Sequence, residues 1–246
     1  MDIQRIHRMQ AEQARGIVVV IDVIRAFSVA AYALAGGARG LWLVRAVEDA
    51  LALRQHEPTA LLAGEVGGRL IPGFDFNNSP AGMSRANVQG RLLIQRTGAG
   101  TQGAVGAVNA SQLLLCSLVN ARATAAYARR LAATTDGLIT LMPTETVSTD
   151  GTQPIEDSLC ADYLEALLTE RADAPDVLAD SIVRLRASGR LSIFKRGFPD
   201  FPFEDIAAFL AADRFDFAMV GVRQQWSDIA YIHAQRQDVP GLMDQA

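Results

Sequence analysis

The sequence predicts an α/β fold: a layered α/β/α arrangement around a mixed, largely parallel sheet, as one domain over residues 1–246. Three observations carry this. Ile17 to Ile21 (IVVVI) is a continuous β-branched run, which is how a strand covered on both faces reads. Two more short apolar runs, 41–44 and 60–63, alternate with helix-like segments, and such alternation favours a parallel sheet. A chain of 246 residues, 50% hydrophobic and 20% charged, can also bury a full core. A subdivision near 140–155 is left open.

Taken in order, the strand 17–21 delivers Asp22 and Arg25 to the start of an apolar helix, Phe27 to Ala35, stopped by Gly36-Gly37. Leu41 to Val44 is a strand. Val47 to His56 carries Glu48, Asp49 and Arg54 on one face and reads as a helix. Ala60 to Ala63 is a third strand, ending on Gly64-Glu65. The stretch GEVGGRLIPGFDFNNSPAGMS is irregular, with Ser79 placed to cap a helix that has Pro80 at its first position. Phe74, Phe76 and Ile71 anchor this loop, and Asp75 lies between the two phenylalanines. Arg91 to Arg96 is a strand running into TGAGTQG. Leu113 to Val119 is another, after which Asn120 is placed to cap the helix Ala121 to Ala133. A strand starts at Leu138, followed by a polar loop, Pro143 to Gln153. Glu156-Asp157 open a helix, and amphipathic helices near 177–186 and 203–211 precede a strand at Phe217 to Val222.

Composition narrows the function. The first sixteen residues are charged from the second onward, unlike a signal peptide, and no uncharged apolar run approaches the roughly 20 residues that span a bilayer. A soluble cytoplasmic protein with no membrane partner is expected. Cys116 and Cys160 lie in apolar runs without CxxC spacing and read as core thiols. From Phe76 to Thr135 there are six arginines and no acid, which favours an anionic ligand or, more plainly, surface arginines facing acids elsewhere. Nucleic acid is not expected, because basic clusters interleaved with aromatics are lacking. A homo-oligomer is compatible with the sequence.

The candidate chemistry is carried by oxygen ligands. Three scattered histidines support neither a His-ligated metal nor a Ser-His-Asp triad, and the single lysine, Lys195, leaves no P-loop. Burying an unpaired carboxylate costs several kcal/mol, roughly, so Asp22 requires a cation, unless it merely pairs with Arg25 or caps the next helix. Asp22, Glu65, Asp75 and Glu156-Asp157 suit Mg²⁺, with Arg25 and the 97–101 loop for an anion. Gly98, Gly100 and Gly103 match G-x-G-x-x-G. The readings are a dinucleotide fingerprint, a phosphate nest of N–H groups with Thr97 and Thr101, or close helix packing. The dinucleotide reading lacks the acid about 20 residues on that would hold a ribose, leaving only an NADP-type oxidoreductase using Arg122. The nest is favoured.

Four segments together, IDVIRAFSVA (21–30), GEVGG with PGFDFNNSP (64–80), TGAGT (97–101) and EDSLCADYL (156–164), resemble the 2-phosphosulfolactate phosphatases of coenzyme M biosynthesis. The match extends over about the first two-thirds of the chain. The resemblance implies Mg²⁺-dependent hydrolysis of a phosphate ester of a small acidic hydroxy acid. It carries over Asp22, Arg25, Glu65 and Asp75 as catalytic residues, with Asp22, Glu65, Asp75 and Asp157 as metal ligands. Asn78, Ser79, Thr97, Gly98, Ala99, Gly100 and Thr101 would bind the small anionic phosphorylated substrate. Phe27, Val66 and Gly98-Ala99 depart from the family pattern. Val66 stands where an Arg is usual, so it is expected to switch specificity towards a less anionic ester. A non-catalytic anion-binding protein on the same scaffold is the rival reading.

Overall fold

The structure, a computed structural model, describes residues 1–145 and 154–240. The strands are β1 (Asp2–Arg5), β2 (Ile17–Ile21), β3 (Gly40–Val44), β4 (Leu61–Val66), β5 (Arg69–Leu70), β6 (Leu92–Arg96), β7 (Gln112–Cys116), β8 (Leu138–Pro143), β9 (Phe217–Trp226) and β10 (Ile229–Asp238). The helices are α1 (Ala26–Ala35), α2 (Val47–His56), α3 (Pro80–Met83), α4 (Gly100–Gly106), α5 (Ala121–Ala132), α6 (Glu156–Leu168), α7 (Ala174–Ala187) and α8 (Glu204–Phe209).

All five residues of β2 are buried, and the strand's period of two divides them between two cores. Val18 and Val20 face a core shared with Phe27, Ala30 and Ala31 of α1 and Ala104 of α4. Ile17, Val19 and Ile21 face another, built with Ala125 and Ala128 of α5 and Cys160, Tyr163 and Leu164 of α6. An unbroken β-branched run is what a strand needs when helices cover both its faces. The layered architecture follows. Both cysteines are free and buried, as expected of core thiols.

The ten strands form one mixed sheet in the order β1-β8-β2-β7-β9-β10-β3-β6-β4-β5. Two parallel groups, β1-β8-β2-β7 and β3-β6-β4, are joined through the antiparallel hairpin β9–β10. Three antiparallel pairings separate the groups, so their local strand directions oppose. β2 and β6 lie five strands apart in the sheet, yet the residues following β2 and β6 and the end of β4 meet: Gly98 N–H reaches Glu65, and Gly100 packs against Asp22.

Several boundaries move. β4 runs on through Glu65, which lies inside the strand opposite Leu70 instead of just beyond its end. β7 stops at Cys116, and Leu118–Asn120 form a 3-10 turn. Asn120 sits at the start of α5 but does not cap it: its amide bonds to Ser117 N, Leu115 O and Thr124 Oγ1. Strands β1, β5 and β10 were not expected, because they are short or largely polar. Of the expected polar loop, residues 146–153 lie outside the described residues. No helix among the described residues is long and apolar enough to cross a membrane.

Candidate active site

Asp22 leaves the end of β2 buried, with 4% of its surface exposed. Its Oδ1 accepts the Ala26 N–H at 2.9 Å, so it does close the first turn of α1. It does not pair with Arg25. Its carboxyl is pushed up to about 6, first by burial and then by the charges of Glu65 and Glu156, against the stabilising N–H groups of Ala26 and Gly100. The close approach of Gly100 depends on its lack of a side chain: a Cβ there would lie 2.6 Å from Asp22 Oδ2.

Glu65 is gripped on both oxygens. Oε1 accepts Gly98 N–H and Oε2 accepts Gly68 N–H, each at 2.6 Å. Arg96 fixes the same strand end through the Glu65 carbonyl at 2.7 Å and the Arg45 carbonyl at 3.2 Å. The loop 97–101 therefore presents Gly98 and Gly100 N–H groups to two carboxylates. It is a carboxylate cradle, and the expectation of a phosphate nest is corrected on this point. The threonines are not free for a ligand either. Thr97 N–H donates to Thr101 Oγ1 at 2.9 Å, Thr101 N–H donates to Thr97 Oγ1 at 3.2 Å, and Thr101 Oγ1 donates to Thr97 O at 3.0 Å. Both are buried and close the loop on itself. Gly103 serves packing, since a Cβ there would meet Thr144 Cγ2 at 3.0 Å and Val20 Cγ1 at 3.2 Å. With these N–H groups committed and α4 only seven residues long, the loop offers no pyrophosphate seat.

Arg25 is 3% exposed and its charge is already compensated. Nη1 donates to Asp205 Oδ2 at 2.9 Å and to Asp200 O at 2.7 Å, and the guanidinium lies 4.7 Å from the Phe201 ring centroid. Ser79 is committed in the same way: its Oγ accepts Gly82 N–H, as expected of a cap, and donates to Asp205 Oδ1 at 2.6 Å. Neither side chain is a bare anion ligand, as was expected of both.

Asp157 joins the cluster from α6, but its oxygens hold backbone: Oδ1 accepts Val23 N–H at 2.8 Å, and Oδ2 accepts Thr144 N–H at 3.2 Å and Thr144 Oγ1–H at 3.1 Å. Burial, then Asp22 and Glu156, push its carboxyl well above the ordinary aspartate range. Glu156 is paired with Arg190 at 2.9 Å. Asp75 is not brought here. Its Oδ2 accepts Leu62 N–H at 2.7 Å and pairs with Arg54 at 2.9 Å, three residues back along β4 from Glu65, or about 10 Å at 3.3 Å per residue. Its expected catalytic and metal roles are therefore corrected to anchoring the 71–78 loop. Asn78 is buried, and its side-chain oxygen has no partner among the described residues. The acid-free stretch supplies Arg96 and the loop 97–101 to this site, but three of its other arginines are engaged elsewhere. Arg122 pairs with Asp213, Arg129 with Glu170, and Arg91 with Thr59 O.

Among the described residues, no group of three or more His, Cys, Asp or Glu side chains is arranged to hold a metal ion. Mg²⁺ needs no such cage: it keeps several waters and takes one or two carboxylates with phosphate oxygens. Asp22 and Glu65 fit that role, because among the described residues neither is in an ion pair while each adds to a buried cluster of negative charge. Sequence reasoning missed Gly68, Asp200, Phe201 and Asp205. Glu204-Asp205 look like any acidic first turn, and only the burial of Asp205 marks it out.

A family model described as 2-phosphosulpholactate phosphatase matches residues 3–188. A probable 2-phosphosulfolactate phosphatase of Bacillus subtilis is 36% identical over 207 residues, covering 82% of this chain and 85% of that protein. One of Deinococcus radiodurans is 40% identical over 159 residues, 61% of this chain and 62% of its own length. One of Thermus thermophilus is 44% identical over 117 residues, 47% and 48% of the two chains.

Proposed function

The chain belongs to the 2-phosphosulpholactate phosphatase family, and on that footing we propose that it is a Mg²⁺-dependent phosphoric monoester hydrolase acting on a small anionic hydroxy-acid phosphate such as 2-phosphosulfolactate. The observation that carries the metal is the pair Asp22 and Glu65, buried and lacking ion-pair partners among the described residues, each held by an N–H of one loop. Bound there, Mg²⁺ would supply charge stabilisation to the phosphoryl oxygens. The chain's own part is positional. Gly98 and Gly100 orient the two carboxylates, Asp157 holds Val23 and Thr144 behind Asp22, and Arg96 ties down the strand that bears Glu65. With Thr97, Thr101 and Ser79 committed to the fold, Asn78 and Ala99 are left to meet the ester.

Specificity shifts from Val66 to its neighbour. Val66 is 52% exposed at the end of β4 and pairs directly with exposed Arg69 of β5. Residues opposite each other in an antiparallel pair share a face, with Cβ atoms about 4.5–5.5 Å apart. Arg69 therefore offers a guanidinium beside the position where Val66 lacks one. Phe27, which also departs from the family pattern, is fully buried in the hydrophobic core.

The test is turnover of 2-phosphosulfolactate and p-nitrophenyl phosphate by the purified protein with Mg²⁺ and with EDTA. Hydrolysis that requires Mg²⁺ supports the reading. Tight anion binding without turnover under any metal condition would replace it with a non-catalytic binding role.

A further inference from the structure

Segment 194–205 lies beyond the region matched by the family model, which ends at residue 188. It is closed on itself by Lys195 N–H donating to Phe201 O at 2.9 Å and by a bridge between Lys195 and Pro202. From this small loop three groups reach the site. Asp205, fully buried, accepts Arg25 Nη1–H at 2.9 Å, Ser79 Oγ–H at 2.6 Å and Ala81 N–H at 3.0 Å. Asp200 accepts Arg25 Nη1–H on its carbonyl and, on Oδ1, Asn77 Nδ2–H at 2.8 Å and Leu70 N–H at 3.2 Å. Phe201 covers the Arg25 guanidinium and packs so closely on Gly68 that a Cβ there would fall within the ring's van der Waals shell.

Gly68 connects this loop to the chemistry. It sits in the left-handed region at φ +80°, in the turn between β4 and β5, and its N–H holds Glu65 Oε2 at 2.6 Å. Its carbonyl faces Arg25 Nη2 at 3.5 Å. The contacts thus run without a break from Asp205 to Arg25, from Arg25 and Phe201 to Gly68, and from Gly68 to Glu65. A two-residue strand such as β5 has few ladder bonds of its own, so its turn depends on what packs against it.

We infer that residues 194–205 form a clasp that positions Glu65 for the metal, with Asp205 and Phe201 as its positioning residues, acting through Arg25 and Gly68. Neither is a catalytic residue, since nothing brings them to the reacting atoms. The inference rests on the reading of Asp22 and Glu65 as the Mg²⁺ ligands. It explains why Arg25, in the segment IDVIRAFSVA, is engaged with carboxylate and carbonyl oxygens at a segment 175 to 180 residues away instead of being open to an anion.

The experiment compares wild type with Phe201→Leu, which shortens the ring over Gly68, and Asp205→Asn, which keeps shape but removes charge. Amide hydrogen exchange at Gly68 and Gly98 is measured on metal-free protein. Mg²⁺ affinity is measured by calorimetry, and kcat and KM for p-nitrophenyl phosphate are normalised to folded protein. The clasp predicts Gly68 and Gly98 exchange at least ten-fold faster, Mg²⁺ affinity weakened at least three-fold, and kcat lowered at least ten-fold with KM changed less. Should Asp205→Asn not fold, Phe201→Leu carries the test alone. Unchanged exchange at Gly68 overturns the inference. So does faster exchange with unaltered Mg²⁺ affinity and kcat, which would make the segment structural only. If wild type neither binds Mg²⁺ nor hydrolyses the ester, the phosphatase reading itself falls and the positioning role with it, an outcome visible before any variant is made.

Discussion

Replacing Asp205 by alanine should be among the most damaging single changes in the molecule. Arg25 and Asp205 are 3% and 0% exposed, and burial alone already pulls the Arg25 guanidinium below its ordinary range, with Asp205 the first group opposing that shift. The substitution strands a buried cation and leaves the Ser79 Oγ–H and Ala81 N–H donors without their acceptor. Removing one partner of a buried ion pair costs about 3–5 kcal/mol, because the surviving charge is left uncompensated. Counting contacts sets a ceiling above that figure, since Asp205 accepts three hydrogen bonds on its carboxylate, each worth about 1.5–3 kcal/mol. For a chain of this size a loss of about 3–5 kcal/mol lowers Tm by about 6–20 °C. Urea unfolding followed by the fluorescence of Trp42 and Trp226 reads it directly. The double variant Arg25→Met with Asp205→Asn should recover at least half of the loss, since it removes the stranded charge and keeps an acceptor for Ser79. A loss below about 1 kcal/mol in Asp205→Ala would refute the reasoning, as would a double variant less stable than the single one.

The other expectations concern the site. Asp22→Asn should abolish Mg²⁺-dependent turnover while leaving the far-ultraviolet circular dichroism and thermal midpoint close to wild type, because burial and the neighbouring acids already oppose the Asp22 charge; a large stability loss with turnover preserved per folded molecule would mark Asp22 as structural. Gly100→Ala should cost at least ten-fold in kcat and Gly98→Ala far less, since the added Cβ meets Asp22 Oδ2 at 2.6 Å in one case and Glu65 Oε1 at 3.3 Å in the other; equal effects in steady-state assays would contradict the cradle. Arg69→Ala should raise KM for 2-phosphosulfolactate up to about five-fold, the scale of about 0.2–1 kcal/mol for an exposed charge pair, and leave p-nitrophenyl phosphate unaffected. Val66→Arg should then add little, and a ten-fold gain from it would restore Val66 as the switch.

The elements that built the site were legible where local chemistry and burial agreed. The run 17–21 could only be a strand covered on both faces, and Asp22 at its end could only be costly to bury, so both stood out. Ser79-Pro80 announced a helix start, and the structure puts α3 there. Less visible was how the loop 97–101 would be used: glycines and threonines suit a phosphate nest and a carboxylate cradle equally, and only the register of β4 beside β6 brings Glu65 under Gly98. Asp75 misled because an acid between two phenylalanines signals a constrained carboxylate without saying which end of the neighbouring strand it faces. Asp200, Phe201 and Asp205 were invisible for another reason. Their partners are more than a hundred residues away in sequence, and no periodicity encodes a contact of that range.

The central claim is that Asp22 and Glu65 form one Mg²⁺ site presented by the loop 97–101. Calorimetric titration of metal-free protein with MgCl₂ tests it most directly, using wild type and the double variant Asp22→Asn with Glu65→Gln. The account predicts a single Mg²⁺ per chain in wild type and no saturable binding in the variant. Equal binding by the two proteins would contradict it.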